Sequence, residues 1–349
     1  MNYGIRFDVL AFNDDDVMTN GQILAVDYGG RHIDTGAWPG TQLNINPRVG
    51  FNWDIIGDKS LVLRGGTGLF TGRLPLVFFT NMPTNSGMVQ NAVKGISTTY
   101  NSDGTIKSKS PELAKFTGNM VTTVQEMAEL IGAQTTIRPG EGAFQATPCG
   151  IDENFKMPQV WKSSIALDYQ LPVNFPLSIT GEFMYTKNIN AVMLDNYNIK
   201  PSDGWERFNG SDNRLIYPDD FTYHKNIQTA CVLTNTHKGY GYIANITLKA
   251  QPIEELRLMA AYTRTESKEI SGMPGSDAKS AWSGLYTIDG PNFATVQRSR
   301  YVVPDRVIAS VSYDLHKTTH FNLFYTCYSP GGYSFIYAND MNGDGNPTD

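Results

Sequence analysis

Apolar and polar residues alternate with a period of two over much of this chain. The clearest stretch is 46–71, NPRVGFNWDIIGDKSLVLRGGTGLFT. Val49, Phe51, Trp53 and Ile55 fall on one face and Arg48, Gly50, Asn52 and Asp54 on the other. Successive side chains of a strand point to opposite sides, so this is a strand with one oily and one polar face. After a short turn at 56–59, Leu61, Leu63 and Leu69 oppose Arg64, Gly66 and Gly68. Gly57 before Asp58 supplies the tight reversal, and the stretch is a hairpin.

The same alternation predicts strands elsewhere. Residues 2–12 set Tyr3, Ile5, Phe7 and Val9 against Gly4, Arg6 and Asp8. Further strands are expected at 159–169, 177–186, 239–250, from Leu256 to about Thr263, at 305–315, and from His320 to Cys327. The longest connection, 72 to about 157, carries one helical turn at 111–116 with Pro at its first position. Its best helix candidate is 121–134, where Val124, Met127, Leu130 and Ile131 recur at helical spacing. The end of this connection is Gly- and Pro-rich and reads as irregular.

Period two alone suits a soluble sandwich as well as a membrane barrel. The connections separate the two. Short ones follow the second, fourth, sixth and eighth strands, and long ones follow the odd strands. Up-and-down strands with short turns at one end and long loops at the other are the pattern of a membrane barrel, whereas a Greek-key sandwich mixes lengths at both ends. Aromatics on the oily parity sort by strand end: Trp53, Tyr169 and Tyr313 beside short turns, and Trp161, Tyr185, Tyr240, Tyr242, Tyr262 and Tyr325 towards the long loops. Two such belts match the two interfaces of a bilayer. The expected fold is all-β: an antiparallel up-and-down transmembrane β-barrel segment of about nine strands of a larger barrel, with short periplasmic turns and long extracellular loops.

The other parity carries Arg6, Asp8, Arg48, Asn52, Arg64, Lys162, Asp168, Glu182, Asn245, Lys249, Arg257, Arg306, Asp314 and His320. Charges of both signs facing inward imply a wet or plug-filled interior and a wide barrel. Arg48, Arg64, Lys162, Glu182, Lys249, Arg257 and Arg306 are the lumen-facing candidates for ligand contact.

Composition fits this picture. The chain has 349 residues, net charge −6, pI near 5.4 and mean hydropathy −0.30. The acidic balance argues against a nucleic-acid binder. No apolar run approaches the roughly 18 residues of a spanning helix, but a barrel strand offers only alternate residues to lipid. Tyr (18), Phe (17) and Gly (33) are abundant, as in β structure with many turns. Met1 leads straight into an alternating strand with no leader, and the end, DMNGDGNPTD, is turn-forming. The expectation is an internal piece of a longer protein, 1–349 being one partial barrel domain.

PRVGFNWDIIGDKSLVLRGGTGLFTGRLP, then VFFTNMPTNSGMVQNA, and later IYANDMNGDGNPTD, resemble the barrel of Oar-like TonB-dependent receptors. The resemblance covers essentially the whole chain, and the hairpin and NDMNGDGN are its most specific parts. It implies a barrel of about 22 strands, with an N-terminal carboxypeptidase-regulatory-like domain and a plug carrying the TonB box. It also implies placement in the cell outer membrane among its lipids, contact with the TonB complex through the plug, and a surface lipoprotein as a further partner. No plug, TonB box or aromatic-ended terminal strand is recognisable here. Energy-coupled uptake of a bulky ligand would belong to the full-length protein. The rival readings are a passive porin or surface adhesin, and a secreted soluble β-sandwich binding protein.

Little in the sequence points to catalysis: neither G-x-S-x-G nor H-E-x-x-H occurs, and no enzyme activity is expected. Asp340, Asn342, Asp344 and Gly345 match D-x-N-x-D-G, the opening of an oxygen-ligand loop, and make calcium the one candidate cofactor. The bidentate acid such a loop needs would fall past Asp349, and an ion-free polar turn is the alternative. Asp14, Asp15 and Asp16, consecutive in an extended segment, cannot converge on one ion and read as a solvated loop. Cys149, Cys231 and Cys327 match no zinc spacing. They read as unpaired small apolar residues or as one incidental loop disulfide.

Overall fold

The computed structural model describes residues 1–13, 17–89, 97–115, 119, 125–126, 128–129, 138, 140–142, 144–316 and 318–346. Its elements in chain order are β1 (Asn2–Leu10), α1 (Gly21–Leu24), β2 (Gln42–Asp54), β3 (Leu61–Thr71), α2 (Val77–Thr84), β4 (Thr98–Tyr100), β5 (Ile106–Lys109), β6 (Cys149–Ile151), β7 (Gln159–Gln170), β8 (Leu177–Asn196), β9 (Cys231–Thr236), β10 (Tyr240–Ile253), β11 (Leu256–Glu269), α3 (Ala278–Ser283), β12 (Gln297–Arg298), β13 (Asp305–His316) and β14 (Thr319–Tyr328).

Nine of these strands form one wall in the order β1-β2-β3-β7-β8-β10-β11-β13-β14, each antiparallel to its neighbour. The order follows the chain without a crossover, because each short turn returns the next strand beside the last. In the first turn, Asp54 accepts from the Gly57 and Lys59 amides, both at 2.9 Å. Gly57 takes φ 97° there, a region that costs glycine little. Among the described residues β1 and β14 lie at the two edges of the wall, and no second sheet covers its oily face. Ile165, Leu167 and Leu323 remain 49%, 43% and 69% exposed. A soluble sandwich would have buried them, so that reading is overturned.

The register fixes the faces. Directly paired residues point to the same side of a sheet. Asn52, Arg64, Ala166, Glu182, Asn245, Thr263, Arg306 and Tyr328 form one continuous inward row across eight strands. The row starts beside a short turn at Asn52 and ends beside the long-loop end at Arg306. It climbs because the strands are tilted, as closing a sheet into a barrel requires. On the outward face the aromatics of the upper belt stack in pairs: Phe183 on Tyr242 at 6.1 Å and Tyr185 on Tyr240 at 6.4 Å between ring centroids.

The buried core lies outside the wall, among the long connections. Two clusters fill it. One holds Phe78, Phe79 and Met82 of α2 with Cys149, Ile151, Leu194, Cys231, Leu233 and Ala281. The other holds Ile23, Tyr28, Ile33, Ile227, Ala230 and Val232.

Several expectations need correction. β8 runs to Asn196, past its expected end at Thr186, because its upper half pairs with β9. β11 likewise runs to Glu269. There Arg264, Glu266 and Lys268, on the outward parity, stand above the aromatic belt, and Arg264 and Glu266 pair with Asp305 and Arg298. The irregular end of the 72–157 connection contains β6, and α2 was not foreseen. The turn at 111–116 forms as a 3-10 helix, Pro111–Lys115. The helix expected at 121–134 lies largely outside the described residues, as do Asp14, Asp15 and Asp16.

Candidate functional site: the inward wall and the loop cap

All seven lumen-facing candidates occupy inward register positions, and the structure gives them neighbours that spacing could not. Arg64 binds Asp168 at 2.9 Å and lies 3.7 Å from Glu182. Asp168 also accepts from Thr180 Oγ1 at 2.7 Å. β3 contributes Arg64 to this cluster, β7 Asp168, and β8 both Thr180 and Glu182, and Lys249 of β10 adds its charge to the field at Asp168. Arg257 binds Asp314 at 2.6 Å, and His320 Nδ1 reaches the other Asp314 oxygen at 2.6 Å. Arg306 stands opposite Thr263 and Tyr328 in the same inward row.

Arg48 and Lys162 form a different site. Both approach the ring of Phe70, at 4.3 Å and 5.9 Å from its centroid, within cation–π range. With Gly50, Gly66, Ser164 and Met184 they line a cleft of about 430 Å³ on the inward wall. Gly66 is needed there because a Cβ would stand 2.9 Å from the Val49 carbonyl oxygen. A second cleft, about 720 Å³, opens beside the short turn between β7 and β8, with Lys249, Arg257, Met259, Ser310 and Ser312 among its walls. The inward face therefore mixes paired charges with two clefts that join cationic and apolar side chains, the first largely apolar around Phe70, the second more polar, with its Arg257 already held by Asp314. The apolar residues Phe70, Met184 and Met259 were missed as site residues, although their inward parity was readable from position alone.

Above the wall the long connections fold together into a cap. Asn20, fully buried, caps α1 by accepting from the Gln22 amide at 2.9 Å and donates to the Ser86 carbonyl at 2.8 Å, joining the first connection to the second. The Gln228 amide donates to the Ala146 carbonyl, 2.8 Å. Arg31 binds Asp195 at 3.1 Å and stacks over the Tyr197 ring at 4.2 Å. Arg207 grips Asp289 with two bonds of 3.0 and 2.8 Å. Burial pushes the Asp195 carboxyl above the usual carboxylate range, with Arg31 pulling the other way. Burial alone pushes the Tyr28 phenol up to about 12.

Asp340, Asn342 and Asp344 share one turn against the cap, where the Tyr217 amide donates to the Asn342 carbonyl at 2.7 Å. Their side-chain oxygens accept from backbone: Asp340 from Gly343 and Gly345, Asn342 from Asp344, and Asp344 from Asn346. Among the described residues no three His, Cys, Asp or Glu side chains gather as a metal site.

An open, tilted, up-and-down wall with an oily outside, a charged inside and all long loops at one end matches one family model over residues 1–324, that of the outer membrane beta barrel domain. The chain belongs to that family. Its place is the cell outer membrane, with the oily face against lipid and the cap on the extracellular side.

Solved structures similar to this chain include the siderophore receptor PirA of Pseudomonas aeruginosa, at 9% identity and TM-score 0.37, covering 82% of this chain and 34% of that one. The outer membrane transporter YddB of Escherichia coli is similar at 9% identity and TM-score 0.47, covering 88% and 31%. The copper transporter OprC is similar at 10% identity and TM-score 0.37, covering 90% and 30%. The chain spans about a third of the length of these structures. No curated protein matches it.

Proposed function

We propose that this outer membrane barrel belongs to an Oar-like TonB-dependent receptor that takes up a bulky ligand. The observation that carries the reading is the inward wall. It presents clefts built from Arg48, Lys162, Lys249 and Arg257 beneath a folded cap, rather than a uniformly water-lined bore. Clefts that join cationic and apolar side chains suit a plug or a large anionic or amphipathic ligand, which both kinds of surface would hold. Ligand would be captured at the cap and passed along the inward face, with TonB acting through a plug in the full-length protein and a surface lipoprotein assisting at the cap.

The test is the full-length protein in a planar bilayer bathed in potassium chloride. The expected result is no steady conductance until the plug is displaced by urea. A constantly open, ohmic pore would favour a passive porin and overturn the reading. Calcium at Asp340, Asn342 and Asp344 belongs to the same proposal, as a brace for the turn on Tyr217. Calcium chloride alone should then slow proteolysis of this turn, and Asp344→Asn should abolish the effect.

A further inference from the structure

β6 and β9 run parallel at the centre of the cap, with Cys149 opposite Cys231, Gly150 opposite Val232 and Ile151 opposite Leu233. Side chains alternate along each strand, and the packing shows the result. Cys149, Ile151, Cys231 and Leu233 all enter one apolar cluster, whereas Val232 enters the other. The two sulfur-bearing side chains therefore reach the same core from facing positions. The Cys231 amide donates to the Pro148 carbonyl at 3.1 Å, and the Asp152 amide to the Leu233 carbonyl at 3.0 Å, so the strands are closely hydrogen-bonded. Neighbouring strands lie about 4.7–4.9 Å apart, inside the range of about 4.4–6.8 Å between the Cα atoms of a disulfide. The structure holds both residues as free thiols, 4% and 0% exposed. The cap belongs to an outer membrane domain, which reaches its site through an oxidising compartment.

We propose that Cys149 and Cys231 are joined by a disulfide in the mature protein, stapling the 72–158 connection to the 197–239 connection. One thiolate attacks the disulfide of a periplasmic protein oxidant and forms a mixed disulfide. The second thiolate then attacks the cysteine sulfur and expels the oxidant's thiolate. Two protons leave the cysteines, and two electrons reduce the oxidant to its dithiol. The bond forms while the loops are open. Burial pushes the Cys149 thiol up to about 12 and the Cys231 thiol well above its ordinary value, so a pair still reduced when the cap closes would keep its protons and react slowly, and oxidation has to precede closure. The closed cap then shields the bond from reductant. The inference rests on the outer membrane placement and not on ligand uptake.

The experiment is peptide mapping of the full-length protein from cells treated with N-ethylmaleimide before lysis and then denatured without reductant. Cys327, on wall strand β14 and outside the cap, is the internal reference. The expected result is maleimide on the Cys327 peptide, with the Cys149 and Cys231 peptides linked to each other and alkylated only after reduction. Maleimide on both cap cysteines, or linkage of either to another cysteine, overturns the proposal. A second measurement uses the paired Cys149→Ala, Cys231→Ala chain, whose 72–158 connection should be cut by external protease about tenfold faster. Equal cutting of both chains overturns the stapling.

Discussion

At the scale of single residues, function here divides by parity. Val49 and Leu167 face outward, half-exposed, at positions that meet acyl chains. Val49→Arg and Leu167→Arg are each expected to cost about 2–4 kcal/mol at mid-bilayer, seen as lost assembly in the outer membrane and a lower urea midpoint in liposomes. Arg64→Leu leaves Asp168 and Glu182 without their cation, but in a wet, half-exposed setting where such pairs are worth about 1 kcal/mol or less. It should disturb assembly far less, and equal damage from both kinds of change would disprove the assigned faces. The parity of Arg64 was legible from its neighbours two positions away. Its partner was not, because Asp168 lies 104 positions along the chain and only the β3–β7 register brings it near.

At the scale of elements, the wall strands were legible and the cap elements were not. Wall strands carry their own signal, since each must show lipid an unbroken alternate row. α2 shows no such pattern. It is eight residues long, contains Pro83, and is held by what it touches. Phe79 meets Phe12, Trp38 and Phe155 at centroid distances of 5.2, 5.8 and 5.9 Å. Phe79→Ala should therefore cost the cap about 3–5 kcal/mol. Limited proteolysis should cut the long connections sooner while the wall resists as before, and a wall that unfolds with the cap would show the two to be one cooperative unit. α3 begins with a capping box in which Asp277 accepts from the Ser280 amide at 2.9 Å. Asp277→Ala should cost about 1 kcal/mol, read as faster amide exchange confined to α3 and its neighbours.

At the scale of the whole molecule, a wall held by interstrand hydrogen bonds carries a cap held by apolar cores and buried polar ties. One of those ties sets a pH dependence. Burial raises the Asp195 carboxyl, so the folded cap binds its proton more tightly than the open chain does. The stabilising contribution of that proton is complete below the ordinary carboxylate range and is lost as pH rises through the raised value. The protease half-life of the cap should fall as pH rises above that range through the raised value, and Asp195→Asn should flatten the fall. An unchanged slope in the variant would assign the dependence to another group.

The sequence by itself determined the wall: which strands exist, which face meets lipid, which charges face inward, and at which end the long loops gather. Those features are local, written at a spacing of two residues because the bilayer imposes the same demand on every strand. Tertiary structure alone decided that the long loops form a cap, that β8 leaves the membrane to pair with β9, and that Cys149 meets Cys231. Those choices depend on contacts between segments tens of residues apart, whose apolar residues follow no period because each is buried by a different neighbour.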